Sequence, residues 1–348
     1  MTDLNRRRLL AGGAIIGTGG LLAACTGNTP KENAGGAVDA ARGDNAKAGK
    51  HVTIGFSAPQ ADHGWVAAIS KNAAAEAKQY SDVTFQPVEA TNDVTKQISS
   101  IQTLIDKKVD ALVVLPFDGK ALTAVARKAM DAGIPVVNLD RVFDTPLGYR
   151  TWIGGDNYGM GQSAGEYVGK RLKDAGVAKP VIGEVAGIDN LALTQDRSRG
   201  FKEALAKYGY RVSIRQSAQF TVESGQQVMS NILQARPKLD AVWNHDDDQG
   251  VGVLAAVTQA HRSEFFMVGG AGSANAMRLI KADKSVLKCT VTYPPTMAAS
   301  AVSLARLIAQ GRGMSDLTER EVPAYMVLAS ATVTKDNVDR YLPLGFES

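Results

Sequence analysis

Beyond the first fifty residues, short apolar runs alternate with segments in which apolar residues recur every three or four positions. The runs at 109–118 and 133–141 are almost continuously apolar, as is typical of parallel strands buried on both faces. Val94, Ile98 and Ile101 follow helical spacing in the segment before the first of these runs. This alternation predicts an α/β fold with a doubly wound parallel sheet.

The pattern occurs twice along the chain, with a second series between residues 180 and 293. Gln97 and Gln227 stand at the same interval before their predicted strands, and those strands end in Asp118 and Asp246. A folded part of about 300 residues exceeds the usual size of one core. We therefore predict two similar α/β lobes with parallel sheets, joined by a hinge at crossovers near 153–157 and 292–296. The predicted lobes comprise residues 51–155 plus 294–328 and residues 156–293 plus 329–348.

The first residues predict export. Arginines at 6–8 precede the apolar stretch 9–24, which is too short and glycine-rich for a comfortable membrane span and resembles a twin-arginine signal peptide. The sequence "LAAC" at 22–25 resembles the bacterial lipobox, in which the cysteine, here Cys25, is lipidated; the alternative is an ordinary cysteine near a cleavage site. We expect residues 1–25 to be a signal peptide with lipobox and the polar segment 26–50 to be a flexible linker.

The net charge argues against nucleic-acid binding, and the cysteine content argues against a disulfide framework or a cysteine metal site. The formal net charge of +4 falls to +2 once residues 1–25 are removed, because that segment holds three arginines and one aspartate. Nothing in this balance indicates nucleic-acid binding. After processing only Cys289 could be a free thiol, so neither a disulfide framework nor a cysteine metal site is expected. Its apolar neighbours predict a place in the core.

Ligands of open α/β sheets bind beyond the carboxyl ends of the strands. Asp118, Asp140, Arg141 and Asp246 all follow the ends of predicted strands. Two facing lobes therefore predict a shared cleft in which these charged groups meet.

Several segments together resemble the ribose/galactose-type (type I) periplasmic sugar-binding proteins of ABC transporters. They include "GFSAPQADHGWVAAISKNAAAEA" (55–77), "VDALVVLPFD" (109–118), "AGIPVVNLDR" (132–141), "GGDNYGMGQSAGEYV" (154–168), "DRSRGFKEAL" (196–205), "AQFTVESGQQVM" (218–229) and "TVTYPP" (290–295). The similarity runs in order from about residue 51 to 335. It implies two lobes that close around a monosaccharide or polyol, and a monomer that serves a membrane permease.

The resemblance also implies ligand contacts, position by position. They are His63, Trp65, Asp140, Arg141, Gln195 or Arg197, Phe220, Asp246 and Tyr293, to which Asp118 is added from its place after a strand. Aromatic rings would cover the apolar faces of a sugar, and charged groups would bond its hydroxyls. One position departs from the family, which commonly has an aspartate where Ala271 stands in "VGGAGS". A hydroxyl contact is lost or moved there, so ribose cannot be assumed as the ligand.

Several of these residues could instead have purely structural roles. Trp65 and Phe220 also suit core packing, His63 a solvated loop, and Arg197 an internal salt bridge. The run "HDDD" at 245–248 divides in our interpretation: Asp246 faces the cleft, whereas Asp247 or Asp248 caps the next helix. Adjacent carboxylates diverge and no distal glutamate follows, so no metal site is expected.

The sequence "GMGQSAG" at 159–165 allows a nucleotide-loop interpretation, but it comes late in the chain, and close packing of helices explains its small residues better.

We therefore expect an extracytoplasmic solute-binding lipoprotein, lipid-anchored to the bacterial cell membrane, that binds a monosaccharide or polyol and delivers it to an ABC transporter permease. No cofactor, catalytic residue or nucleic-acid partner is expected. Two alternatives remain: a sensory sugar receptor for a signalling partner, and an exported sugar-processing enzyme. A cytoplasmic repressor is disfavoured because residues 1–50 offer an export signal where a DNA-binding headpiece would be needed.

Replacing Cys25 by alanine should move the protein from the membrane fraction to the soluble fraction, because acyl chains on this cysteine hold it at the bilayer. Thermal unfolding of the remaining chain should be unchanged, since the predicted linker separates this residue from the core. A variant that stays with the membrane after a salt wash would contradict the lipobox assignment.

Overall fold

The computed structural model describes residues 45–314 and 322–348, which form two lobes around two six-stranded sheets. The strands of lobe one are β1 (Val52–Ser57), β2 (Val83–Pro87), β3 (Ala111–Val114), β4 (Val136–Leu139), β5 (Thr151–Gly155) and β11 (Tyr325–Leu328). Its helices are α1 (Gly64–Ala77), α2 (Val94–Asp106), α3 (Gly119–Asp131) and α9 (Met297–Ala309), with a short 3-10 turn at Pro146–Gly148. The strands lie in the order β11, β5, β4, β3, β1, β2 and all pairs are parallel.

Lobe two repeats this arrangement. Its strands are β6 (Ile182–Ala186), β7 (Ile214–Ser217), β8 (Ala241–Asn244), β9 (Phe266–Ala271), β10 (Leu287–Thr292) and β12 (Thr332–Thr334). Its helices are α4 (Asn157–Asp174), α5 (Ala192–Ala206), α6 (Val222–Ala235), α7 (Asp247–Gln259), α8 (Ala274–Ala282) and α10 (Val338–Tyr341), with a 3-10 turn at Leu342–Leu344. The order is β12, β10, β9, β8, β6, β7, and only the β10–β12 pair is antiparallel.

The prediction of two doubly wound α/β lobes is confirmed. Strands β3 and β4 are buried along their whole length, as their continuous apolar runs predict. The chain passes between the lobes three times: from β5 to α4, from β10 to α9, and from β11 to β12. The third passage is implied by the predicted lobe boundary between residues 328 and 329, although only the first two were named as crossovers. All three lie beside one another, because β5 and β11 are neighbours in one sheet and β10 and β12 in the other.

Side-chain caps fix where most of the helices begin. The acceptors for backbone N–H groups at α2, α3, α4, α6, α7 and α8 are Asp93, Asp118, Asp156, Thr221, Asp246 and Ser273. Helix α1 differs, since His63 at its N-cap makes no such side-chain bond. Its first N–H groups therefore need an acceptor from elsewhere in the molecule.

The internal repeat holds for the aspartates and fails for the glutamines. Asp118 and Asp246 occupy equivalent places, each capping the helix that follows a central strand. Gln97 is buried and bonds the carbonyl of Leu115 at 2.9 Å, whereas Gln227 is exposed. The equal sequence interval therefore does not give the two glutamines the same environment, because Gln227 lies on the solvent-facing side of α6.

Two of the glycines of 159–165, Gly161 and Gly165, serve helix packing, as expected. A Cβ at Gly161 would lie 2.0 Å from the backbone oxygen of Arg197 on α5. Helices α4 and α5 can approach this closely only because the side chain is absent.

The last six residues of the predicted linker are bound to lobe one, which corrects the expectation of a flexible segment up to residue 50. Arg306 of α9 donates to the carbonyls of Asn45 and Lys47 at 2.6 and 2.7 Å. The same guanidinium donates hydrogen bonds of 2.8 and 2.6 Å to the carboxylate of Asp82, and the backbone amide of Gly49 donates to that carboxylate as well. A buried ion pair thus fixes where the chain enters the lobe.

The predicted signal peptide, the lipobox cysteine and the linker up to residue 44 lie outside the described residues. Of the helices within 45–314 and 322–348, none has the length and apolar character needed to cross a membrane. Cys289 is a buried free thiol in β10, which confirms its predicted place in the core.

Asp82→Asn should lower the free energy of unfolding by about 3 kcal/mol at pH 7, because it leaves the buried Arg306 without its charge partner. The hydrogen bonds from Arg306 lower the pKa of Asp82 strongly in the folded state, so this stabilisation is present above the unfolded value of about 3.9 and is lost as the pH falls below it. Denaturant titrations at pH 7 and pH 3 should show the difference from wild type shrinking in acid. Asp174→Asn, which breaks an exposed pair with Lys170, is the control and should cost less than about 0.5 kcal/mol.

Candidate ligand-binding site

A cavity lies between the lobes at the carboxyl ends of both sheets, with about 330 Å³ of empty space that includes its open side. Its walls are formed by His63, Trp65, Asp140 and Arg141 of lobe one and by Leu193, Arg197, Phe220, Asp246, Ala271 and Tyr293 of lobe two and its crossover.

The lobe-one wall carries a fixed charge pair. Asp140 accepts a hydrogen bond from the hydroxyl of Tyr293, which follows the last central strand of lobe two. Arg141 donates to the carbonyl of Phe117 at 2.7 Å, and its guanidinium lies 5.7 Å from that ring. Burial lowers the pKa of Arg141 from its ordinary value, but an arginine remains charged at physiological pH. The two groups thus present an acceptor and a donor side by side.

Aromatic rings form the adjoining walls. The Trp65 indole donates through Nε1 to the carbonyl of Tyr293 at 2.9 Å, and the two ring centroids are 5.7 Å apart. The Tyr293 hydroxyl also accepts from the amide of Asn157 at 3.1 Å. Burial raises the pKa of Tyr293 well above its usual value, so its phenol stays protonated and keeps donating to Asp140. These bonds join lobe one directly to the two main crossovers.

Arg197 brings a second guanidinium from lobe two. It donates to the side chain of Asn157 at 2.8 Å and to the backbone carbonyl of His245 at 3.1 Å. Both partners are neutral, so these bonds orient the guanidinium without the internal salt bridge considered from sequence. It lies 4.7 Å from the ring of Tyr293 and 5.9 Å from that of Phe220. Arg197 is therefore part of the cavity, and its charge is available to a ligand.

His63 closes the cavity beside Phe220, with their ring centroids 6.2 Å apart. Its Nδ1 bonds the carboxylate of Asp62 at 2.5 Å. Burial alone lowers the pKa of His63, but the bond to Asp62 and the charges of Asp246 and Asp248 outweigh it and raise the pKa above its ordinary value. The raised pKa favours the protonated imidazole, which can donate a hydrogen bond to a ligand in the cavity.

Three of the cavity residues have left-handed backbone conformations that non-glycine residues rarely adopt. Asp140 has φ of 60°, Phe220 of 65° and Ala271 of 81°. Each such residue costs of the order of 1–3 kcal/mol and persists only when its surroundings hold it. Hydrogen bonds do so here: the Trp152 indole donates to the carbonyl of Asp140 and the Tyr293 amide to that of Ala271, both at 2.9 Å.

Asp246 both lines the cavity and caps its own helix. Its Oδ1 accepts from the amides of Asp248 and Gln249 at 2.8 and 3.4 Å. Burial raises the pKa of Asp246, while the nearby charges of His63 and Arg197 oppose that shift. The expected position in the cleft is correct, but the capping role assigned to its neighbours belongs to this residue.

Asp247 points into lobe two and shapes the loop after β9. It accepts from the amides of Gly270, Gly272 and Ser273 at 2.8–2.9 Å and from the Thr290 hydroxyl. Burial raises the pKa of this carboxyl to about 8. Its bonds hold the loop that presents the strained Ala271 to the cavity. The capping alternative for Asp247 is therefore wrong.

Asp248 reaches across the cleft and supplies the acceptor that α1 lacks. Its carboxylate accepts from the amide of Trp65 at 2.9 Å and from that of Gly64. A Cβ at Gly64 would lie 2.7 Å from this carboxylate, so only glycine allows the approach. Asp248 is buried, and the expectation of a surface residue or a cap of its own helix is wrong: it caps the helix of the opposite lobe.

Two of the residues named from sequence lie outside the cavity. Asp118 uses its carboxylate to cap α3 and lines a neighbouring groove. Gln195 is exposed and bonds the carbonyl of Asp189, because the helical turn that points Arg197 inward points Gln195 outward. Leu193, one turn before Arg197, lines the cavity instead, and no signal in the sequence marked it. Within the part of the chain that the structure describes, no group of three or more His, Cys, Asp or Glu is arranged to hold a metal ion.

Closure of the ligand-free lobes should be pH-dependent. Burial and the charge of Asp246 raise the pKa of Asp248 to about 7, against about 3.9 when it faces water in an open cleft. The closed form therefore binds this proton more tightly, so closure is favoured in acid, weakens between about pH 4 and pH 7 by at most about 1.4 kcal/mol per pH unit, and levels off above that range. The raised pKa of His63 acts in the same direction.

The radius of gyration from small-angle scattering should accordingly increase between pH 5 and pH 8 without ligand. Asp248→Asn keeps an oxygen acceptor for Trp65 but removes the charge, so this variant should show a smaller change over the same range. Equal changes in variant and wild type would contradict a role for this carboxyl in closure.

Comparison with known proteins places this architecture in a family. Residues 54–313 match the family model described as "Periplasmic binding protein domain". The ribose import binding protein of Bacillus subtilis is 31% identical over 258 residues, covering 74% of this chain and 81% of the relative. A Mycobacterium smegmatis structure in complex with β-D-fucofuranose has a TM-score of 0.75 and 27% identity, covering 84% and 94% of the two chains. The fructose-binding periplasmic domain of a hybrid two-component system has a TM-score of 0.74 and 27% identity, with the same coverage. The chain belongs to the family of periplasmic binding proteins.

Proposed function

We propose that this protein is an extracytoplasmic solute-binding lipoprotein that binds a monosaccharide or polyol between its lobes and delivers it to an ABC importer. The observation that carries this proposal is the small cavity in which charged groups from both lobes meet between aromatic rings. The relatives support a sugar-like ligand, since one is a ribose import binding protein and another was solved with β-D-fucofuranose. Membership of the family implies an extracytoplasmic location.

The cavity offers the two kinds of contact that a sugar needs. Trp65, Phe220 and Tyr293 provide apolar faces for ring C–H groups. Asp140 and Asp246 accept hydroxyl hydrogens, while the guanidinium groups of Arg141 and Arg197 donate to oxygens. Charge-assisted bonds contribute about 1.5–3 kcal/mol each, so a few of them support tight binding of a ligand with little apolar surface.

Binding would also close the protein. Asp140 and Arg141 belong to lobe one, whereas Arg197 and Asp246 belong to lobe two, so one bound ring bridges both. Interactions that exist only when the lobes meet favour the closed state by their full free energy. The neighbouring crossovers are short enough to act as a hinge, as in domain closure around other ligands.

We propose binding without catalysis. Asp246 already commits one carboxyl oxygen to its helix, and Asp140 is held between the Tyr293 hydroxyl and the charge of Arg141. Neither carboxyl is arranged as a free proton donor facing a scissile bond. Recovery of the sugar unchanged after long incubation with the protein would support this; a product would establish an enzyme instead.

A sensory receptor is the second candidate, because one structural relative is the fructose-binding domain of a two-component system. The cavity serves either role equally. Loss of sugar uptake in a deletion strain would favour transport, whereas loss of a sugar-dependent transcriptional or chemotactic response with intact uptake would favour sensing. The lipid anchor at Cys25, the twin-arginine-like export route and the permease partner are part of the proposal and are supported by the sequence motifs alone.

The ligand can be found by a thermal-shift screen of pentoses, hexoses and polyols. A sugar present at 100 times its Kd should stabilise the protein by about 2.7 kcal/mol. No shift with any member of a broad panel at millimolar concentration would contradict the proposed ligand class.

Asp140→Asn should weaken binding of that sugar roughly 10- to 100-fold, because it removes one charge-assisted acceptor worth about 1.5–3 kcal/mol. Asparagine tolerates the left-handed backbone at this position and still accepts from Tyr293, so the fold should be preserved. Asp118→Asn is the matched control: it also follows a strand of lobe one but lies outside the cavity, and should leave the affinity unchanged. Isothermal titration of both variants distinguishes them, and an effect of Asp118→Asn alone would contradict the site.

A further inference from the structure

A second, wider groove of about 1300 Å³, a volume that includes its open side, adjoins the cavity. Asp140, Arg141 and Leu193 line both spaces, so only these three side chains stand between the cavity and the groove. A ligand that extends from the cavity into the groove would have to pass between them.

An aromatic pair forms the lobe-one wall of the groove. Tyr325 of β11 stacks on Trp152 with ring centroids 4.2 Å apart and an interplanar angle of 16°. Trp152 in turn donates to the carbonyl of Asp140, so the pair stands directly behind the cavity wall. Tyr325 is nevertheless 53% exposed. A rigid ring with one face covered and its remaining surface open offers a stacking surface for the C–H face of a sugar.

Carboxylates from both lobes line the same groove. Asp118 and Asp156 each use one oxygen to cap a helix, and Asp196 of α5 pairs with Arg199 at 2.8 Å. Their charges are thereby compensated by helix N-termini and by a guanidinium. Together with Asp140 and Asp144, and with Lys120 and Arg141 as donors, they offer the oxygen acceptors and cationic donors that sugar hydroxyls can bond.

From this arrangement we infer that the protein accepts a disaccharide or glycoside, whose first ring fills the cavity and whose second ring lies in the groove against Tyr325. The inference rests on the proposed function, since it requires a sugar in the cavity. It extends that function, because a site for one ring needs no exposed aromatic surface outside it.

Calorimetric titration tests the inference with matched probes: D-ribose, D-glucose and D-galactose against maltose, cellobiose, lactose and melibiose. At least one disaccharide should bind no more weakly than its component monosaccharides. Tyr325→Ala should weaken that disaccharide by about 2- to 12-fold, the range of one aromatic contact, and leave monosaccharide affinity unchanged. Tyr325→Phe keeps the ring and should restore disaccharide binding to the wild-type value.

The outcomes separate the two proposals. Binding of monosaccharides with exclusion of every disaccharide would overturn the groove site and leave the proposed function standing. Disaccharide binding that Tyr325→Ala does not weaken, or weakens equally with monosaccharide binding, would overturn the role of this ring. Binding of none of these sugars, in a protein shown to be folded by its thermal transition, would overturn both.

Discussion

Helix α1 of lobe one begins without a side-chain cap of its own, and the carboxylate of Asp248 from lobe two takes that place. Uncapped N–H groups at a buried helix terminus are costly, and a carboxylate there also meets the positive end of the helix dipole. The closed arrangement of the lobes therefore satisfies a requirement of the fold itself. This bond favours the closed arrangement, whereas burial of the ionised carboxyl, which raises the pKa of Asp248, opposes it.

The same helix terminus determines the form of the cavity. Trp65, whose amide is held by Asp248, extends its indole to the backbone of Tyr293, and the Tyr293 hydroxyl bonds Asp140. A continuous series of hydrogen bonds then runs from lobe two through α1 and a crossover to the charge pair of lobe one. The strained backbone at Asp140 and Ala271 is held by members or neighbours of this series. These bonds offset the backbone strain and keep the polar groups in place without ligand.

Three adjacent aspartates coexist because each points to a different environment. Asp246 faces the cavity, Asp247 the loop after β9, and Asp248 the opposite lobe. Each receives backbone N–H donors, and those bonds offset part of the cost of burying three carboxyls side by side. Burial still raises the pKa values of all three.

The apolar runs by themselves determined the two α/β lobes, because a strand buried on both faces requires an almost continuous run of apolar residues. The ends of those runs also located Asp140, Arg141 and Asp246, since parallel strands bring their carboxyl ends to one edge. The choice between Gln195 and Arg197 could not be made, because it depends on how α5 is rotated by packing of its glycine-contacting face against α4. Nor could the sequence assign Asp248, whose partner lies 183 positions away in the other lobe. The local sequence pattern determines which residues lie at the edge of a sheet. Only the packing of one lobe against the other determines which of these residues meet, because the spacing of residues along the chain does not give their distances across the cleft.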